Sequence, residues 1–334
     1  MASHATTSIE GEVRAGSRVL GIFENPLNGQ VLRAHMDGPC RLAELQEKIG
    51  RPAQTTTRAA VANLCQIGAL NRRAVGSSSY AVATELSEAG EEMLFVADEV
   101  EAWLALGPHG PIPPGSDAAK DAVKALAGGW SSTLMRSLAG RSFTLTELAG
   151  LIPEVSYAAL ERRIASMRAS GQIEPVEKKG RGTPYVVTDW LRYAIAPLCA
   201  AGRWERRHLG GESPPITAVE VEASFLLTLP LSPLPPYAQG SCVLAAQTDP
   251  VEPSAQDRRL AGVKVEVARG RVVSSAVEIG GEPPTWAVGT PATWFDLVID
   301  GRIDDLRIGG RNPQLALDLV SGLHFALFGR RETG

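Results

Sequence analysis

Five cationic side chains in the middle of the chain have the type and spacing to hold a nucleic acid: Arg162 and Arg163, then Lys178, Lys179 and Arg181 in a KKGRG run. A guanidinium can make two parallel hydrogen bonds to a guanine edge or to a phosphate, whereas an ammonium neutralises phosphate as a point charge. Ser156 and Tyr157 precede the two arginines, and a weaker set, Thr55, Thr56, Arg58, Arg72 and Arg73, sits about a hundred residues earlier. Together these twelve residues are the candidate contacts to double-stranded DNA. The plain alternative, a solvated helix face and a charged turn, stands beside that reading, and more strongly for the first set, whose surroundings are acidic.

Other chemistries are not indicated. No GxSxG, GxxxxGK[ST], HExxH or GxGxxG motif occurs in the context it requires. His4, His35, His109, His208 and His324 lie apart. Cys40, Cys65, Cys199 and Cys242 form no CxxC pair and read as reduced thiols. Asp304 and Asp305 follow a Gly-Arg turn and read as a solvated loop. An enzyme is not expected, nor a metal or cofactor. The last third offers a different set, Phe225, Trp286, Trp294, Phe295, Leu315, Leu319 and Phe325. Such side chains line pockets for small apolar molecules, and each is equally at home in an ordinary core.

These residues need elements to position them. A chain of 334 residues with 44% hydrophobic and 21% charged content suggests two or three globular domains. No apolar run is long enough to span a membrane, and Met1–Gly16 lacks the blocks of a signal peptide, so a cytoplasmic protein is expected. The net charge of −4 is unevenly spread: residues 1–110 hold 9 basic and 13 acidic groups, 111–210 hold 14 and 9, and 211–334 hold 10 and 15. Positive charge gathers where the arginine pair lies. Proline and glycine cluster at 107–116 and 209–217, which read as linkers. The expected organisation is a flexible start over 1–17, a first domain over 18–107, a linker over 108–117, a second domain over 118–208, a linker over 209–217 and a third domain over 218–330.

The first two domains repeat each other. Gly38, Leu45, Gly68, Tyr80 and Trp103 match Gly140, Leu148, Gly171, Tyr185 and Trp204 at offsets between 101 and 105. In the second copy the pattern predicts helices over 131–138 and 145–151, a turn through Pro153, a helix over 156–169 with Ser156 as N-cap, and strands over 173–176 and 185–188. Leu160, Ile164 and Met167 then face inward, leaving Tyr157, Arg162, Arg163 and Ser166 outward. Each copy closes with a long amphipathic helix, over 88–106 and 189–206. Beyond Ala218 the pattern predicts a helix over 219–229, strands over 241–247, 262–267 and 271–279, a strand over 305–308 and a helix over 313–328: an α+β domain.

Gly38, Leu42, Glu44, Leu45, Leu64, Gly68, Leu70, Tyr80 and Thr84, and again Gly140, Leu145, Glu147, Leu148, Ser156, Met167, Gly171, Ile173, Tyr185 and Thr188, resemble the pattern of HxlR-type winged helix-turn-helix regulators. The resemblance covers most of 18–206. It implies two tandem winged helices, a recognition helix over 156–169 with the KKGRG run at its wing tip, and a pseudo-dimer in one chain joined near Trp103 and Trp204, with a homodimer of whole chains as the alternative. Ala53 stands where Ser156 stands in the second copy, so the halves are unequal and a perfectly palindromic operator is not expected. The stretch from Thr285 to Leu323 resembles the end of sterol-carrier-protein-like domains, which implies a hydrophobic tunnel. The combined expectation is a DNA-binding transcriptional regulator that senses a small apolar ligand. The reading left open beside it is a ligand-binding or protein-interaction module that uses the winged helices as scaffold.

Overall fold

A computed structural model describes residues 14–74, 82–129, 132–153, 155–177, 182–248, 260–277 and 284–329. The chain is α+β. It opens with α1 (Ser17–Ile22), α2 (Pro26–Ala34), β1 (Cys40–Arg41), α3 (Leu42–Lys48), α4 (Gln54–Gln66), β2 (Leu70–Ala74), β3 (Val82–Leu86), α5 (Glu88–Ala105) and α6 (Asp117–Gly129). It continues with α7 (Ser132–Gly140), β4 (Phe143–Thr144), α8 (Leu145–Leu151), α9 (Tyr157–Ala169), β5 (Ile173–Pro175), β6 (Pro184–Val187), α10 (Asp189–Tyr193) and α11 (Ile195–His208). The last third holds α12 (Ala218–Thr228), β7 (Gly240–Gln247), β8 (Leu260–Ala268), β9 (Arg271–Ala276), β10 (Thr285–Gly289), α13 (Pro291–Asp300), β11 (Arg307–Gly310) and α14 (Pro313–Leu327). None of the helices among the described residues is long and apolar enough to cross a membrane.

One order of elements occurs twice: helix, short strand, two helices, hairpin. The sheets match as well, β1-β3-β2 in the first copy and β4-β6-β5 in the second, all antiparallel. Local chemistry explains the shared ends. After α4, Gly68 takes φ 81° and the Ala69 N–H donates to the Leu64 carbonyl at 2.9 Å; after α9, Gly171 takes φ 78° and the Gln172 N–H donates to the Met167 carbonyl at 2.9 Å. These are matching Schellman ends, where the left-handed residue needs glycine. At the start of α8, Thr144 and Glu147 cap each other, the Thr144 N–H donating to Glu147 at 2.7 Å and the Glu147 N–H to the Thr144 hydroxyl at 3.2 Å.

Contacts group the chain into two compact units, one holding Gly16–Gly128 with Ala196–Ser213, the other Gly129–Ile195 with Pro214–Gly334. The terminal helix α11 therefore belongs with the first copy, and the C-terminal sheet with the second. The helix expected over 189–206 is two helices. Pro197 has no N–H to donate to the Tyr193 carbonyl, so a continuous helix would lose a bond there, and the break at Ala194 places Pro197 in a first turn, where no donor is needed.

In the first unit the core gathers Leu20, Leu32, Leu45, Leu64, Met93 and Trp103. His35 is buried with them. Its Nδ1–H donates to the Val31 carbonyl at 2.7 Å, and Nε2 accepts from the Thr84 hydroxyl at 2.8 Å. Burial, with the nearby Lys48 charge, pushes His35 below its ordinary value of 6.5, against the Val31 hydrogen bond. The folded state thus resists a proton that the unfolded chain accepts. His35 costs no stability above its unfolded value, and stability falls as the pH drops from there toward the lowered folded value. Denaturant titrations between about pH 7 and pH 5 should show that loss, and His35→Gln should flatten it. An equally steep loss in the variant would exclude His35 as the source.

The five-stranded sheet runs β11-β10-β7-β8-β9, with β10 parallel to β7 and the other pairs antiparallel. Arg269 and Gly270, at φ 51° and 70°, make the two-residue turn that brings Ala268 opposite Arg271. The strand expected at 305–308 is displaced to Arg307–Gly310, because Asp304 and Asp305 form a turn closed by the Leu306 N–H on the Ile303 carbonyl at 3.0 Å. Ala261, Val263, Val265 and Val267 are buried on one face of β8, while Lys264 on the other is exposed. That buried face is the one α12 covers.

Candidate nucleic-acid interface

The helices carrying the candidate contacts are built alike and finished differently. α9 begins at Ser156, whose hydroxyl accepts from the Ala159 N–H at 3.3 Å, satisfying one of the four N–H groups a helix start leaves unpaired. α4 begins at Ala53 with no side-chain cap, and the Thr57 hydroxyl instead turns back to donate to the Ala53 carbonyl at 3.2 Å. Leu160, Ile164 and Met167 fix the inner face of α9, and Thr57, Ala60 and Leu64 that of α4.

What remains outside follows from that anchoring. On α9, Tyr157 is 51% exposed and Arg162 is exposed, while Arg163 is half-buried. Both arginines have an interaction within the chain. Glu161 also lies on the exposed side, an acidic member among the cations. On α4, Thr55, Thr56 and Arg58 are exposed. Arg72 and Arg73 are exposed on β2, and Arg73 is tied across the hairpin to Glu85 at 3.1 Å. Lys178, Lys179 and Arg181, and the landmark Tyr80, lie outside the described residues.

The two terminal helices do come together, within the first unit. The Trp204 indole N–H donates to the Ala89 carbonyl of α5 at 2.7 Å, Arg207 pairs with Glu92 at 3.3 Å, and the Arg203 guanidinium lies 5.6 Å from the centre of the Phe95 ring. Trp103 and Trp204 are both buried.

The residues expected to line an apolar pocket do not form one set. Phe225 and Trp294 meet edge to face at 4.8 Å, the Trp294 indole N–H donating to the Ala245 carbonyl at 2.9 Å, and Leu315 and Leu319 are buried in α14. Leu315 stands against Gly240, on the face of β7 that also carries Cys242 and Leu244. Trp286 pairs in register with Val243, so strand alternation puts it on the opposite face, in a cluster with Val243, Ala245 and Val288 and with its ring over Gly309. Phe325 is a departure as well: it is 51% exposed on the outer side of α14. Phe295 is half-buried. Among the described residues no group of three or more His, Cys, Asp or Glu is placed to hold a metal ion.

Sequence reasoning also missed a partly buried set within the second unit. Arg136 of α7 pairs with Glu222 of α12 at 2.6 Å, and Arg192 of α10 donates to the Leu226 and Leu227 carbonyls at 3.3 and 3.1 Å. The signal available was α12 itself, whose Val221, Ala223, Phe225, Leu226 and Leu227 spread over more than one face with Glu222 among them, as a helix packed between two layers requires.

Neither a family model nor a curated protein matches the sequence.

Proposed function

We propose that the chain is a DNA-binding transcriptional regulator whose two repeated modules are winged helix-turn-helices, with α9 as the principal reading helix and α4 as a weaker second one, and whose C-terminal domain takes up a small apolar molecule. One observation carries the reading: the same helix, short strand, two helices and hairpin occur twice, and in the copy rich in positive charge the capped helix turns Tyr157 and Arg162 outward. The ligand part rests on the Phe225–Trp294 pair with Leu315 and Leu319 between helices and sheet. The paired α5 and α11 support a pseudo-dimer within one chain.

Duplex DNA from the region flanking the protein's own gene tests this directly. Fluorescence anisotropy should report binding whose affinity falls about tenfold or more between roughly 50 and 200 mM salt, as counterion release from phosphate requires. Absence of salt-sensitive binding would favour the other reading, in which the modules are scaffolds for a protein or small-molecule site. The outer face of α4, with Arg58 as its one exposed charge, and the Arg73–Glu85 pair already lean that way for the first copy.

A further inference from the structure

A helix largely buried between two layers, with charged side chains of one layer bonded to it, is coupled to both. α12 is such a helix. Val221, Ala223, Phe225, Leu226 and Leu227 are all buried, and the side toward β8 carries the contact of Phe225 with Trp294. The other side lies along α7, where Glu222, its side chain only 11% exposed, receives Arg136 at 2.6 Å. At its C-terminal end the last carbonyls have no partner within the helix, and the negative end of the helix dipole faces them. Arg192 from α10 supplies both missing donors, to Leu226 and Leu227. Burial pushes Arg192 below its ordinary value, with Asp189 at 3.6 Å opposing that.

We infer that α12 sets the position of the repeat-two reading module, and that Arg136, Glu222 and Arg192 are the positioning residues through which the state of the C-terminal sheet reaches residues 132–187. The physical reason is discreteness. The Glu222 carboxylate, only 11% exposed and held by the half-exposed Arg136 at 2.6 Å, and the Arg192 cap on two carbonyls tolerate little displacement, because Glu222 and Arg192 would lose their partners while regaining little water. A shift of α12 caused by an occupant beside Phe225 and Trp294 would therefore carry α7 and α10 along, or break their links. The regulatory use of this linkage rests on the DNA-binding reading above; the linkage itself does not.

Hydrogen–deuterium exchange on the full chain separates the two. Phe225→Leu loosens the sheet side of α12 only. Amides over 132–187 are expected to exchange about fivefold faster or more, the low end of ordinary coupling between sites, while those over 40–74 stay unchanged. In an Arg136→Gln/Arg192→Gln background, the same Phe225→Leu change should still loosen β7 and β8 but add nothing over 132–187. Glu222→Gln, nearly isosteric, serves that arm if the double arginine variant does not fold. The inference is overturned if Phe225→Leu leaves 132–187 as protected as before, or if its effect there is undiminished when the charged links are gone. Coupled exchange in a chain that binds no duplex would keep the positioning role and remove the regulatory one.

Discussion

Glu205→Ala is expected to lower the melting temperature of the first unit by roughly 10 °C, corresponding to about 3 kcal/mol or more. Helix α1 is only six residues long and its N-cap is Gly16, which has φ 83° and no side chain to cap the N–H groups that follow. Its cap comes from α11. The fully buried Glu205 carboxylate accepts from the Gly16 N–H at 2.7 Å and the Val19 N–H at 2.9 Å, and it also engages the Arg18 backbone. Truncation would strand those donors away from water, each at about 1–3 kcal/mol, and would remove a negative charge from the positive end of the helix dipole. The groups are pressed close: a Cβ on Gly16 would sit 2.9 Å from the Leu198 carbonyl, so α1 cannot slide to find other partners.

The same site sets a pH dependence of definite sign. Burial pushes the Glu205 carboxyl above its ordinary value of 4.5, and the backbone hydrogen bonds and the Arg18 charge only partly offset that. The folded state then holds the proton more tightly than the unfolded chain does. Stability is greatest below the unfolded value and declines as the pH rises through the folded one. Glu205→Gln keeps one acceptor but adds an N–H₂ group facing other donors, so it should fall between wild type and Glu205→Ala and lose this slope. Calorimetry of the three proteins over the acid range reads both effects. Melting of Glu205→Ala within about 2 °C of wild type would show that water or the local chain replaces the carboxylate.

What the amino-acid pattern discloses is local. Gly68 and Gly171 mark helix ends because only glycine takes the left-handed position of a Schellman end cheaply, and Ser156 marks a start because its hydroxyl reaches an orphan N–H. Leu160, Ile164 and Met167 identify an inner face by period alone. Contacts distant in sequence leave no such mark. Nothing near Gly16 announces a carboxylate 189 positions later, nor does Arg192 announce the end of α12. Alternation along β10 separates Trp286 from Ala287 without saying which face the helices will cover, and so the apolar residues read as one lining divide between two faces. Phe325 looked inward because α14 is apolar nearly all round, yet its neighbours Leu323 and Ala326 fill the inner side and leave it out. Pro197 does carry a local mark of the break before it, but an amphipathic period runs through it and hides that mark.

Neutralising Arg162, Arg163, Lys178, Lys179 and Arg181 to glutamine should weaken duplex binding about 100-fold or more at low salt while the fold persists. The expectation divides by chemistry. If α9 is the reading helix, Arg162, exposed beside Glu161, would meet a base edge, and Arg162→Gln alone should then cost about 1–3 kcal/mol against the preferred sequence and much less against random DNA. The three cations of the KKGRG run would meet phosphate, so their loss should weaken all duplexes alike and make the salt dependence shallower, by up to about 0.9 in the logarithmic slope for each phosphate contact removed. The Ser156 cap and the buried Leu160, Ile164 and Met167 are untouched, and since Arg162 and Arg163 each have an interaction within the chain, circular dichroism and melting of the variant check that the fold persists. Arg58→Gln with Arg72→Gln, on the first copy, is expected to do far less, since α4 has no cap and its outer face is nearly uncharged. If the five-fold variant bound duplex as tightly as wild type at the same salt, α9 would be a structural helix and the scaffold reading would stand. If the first-copy variant lost more, the assignment of the stronger reading helix would have to be reversed.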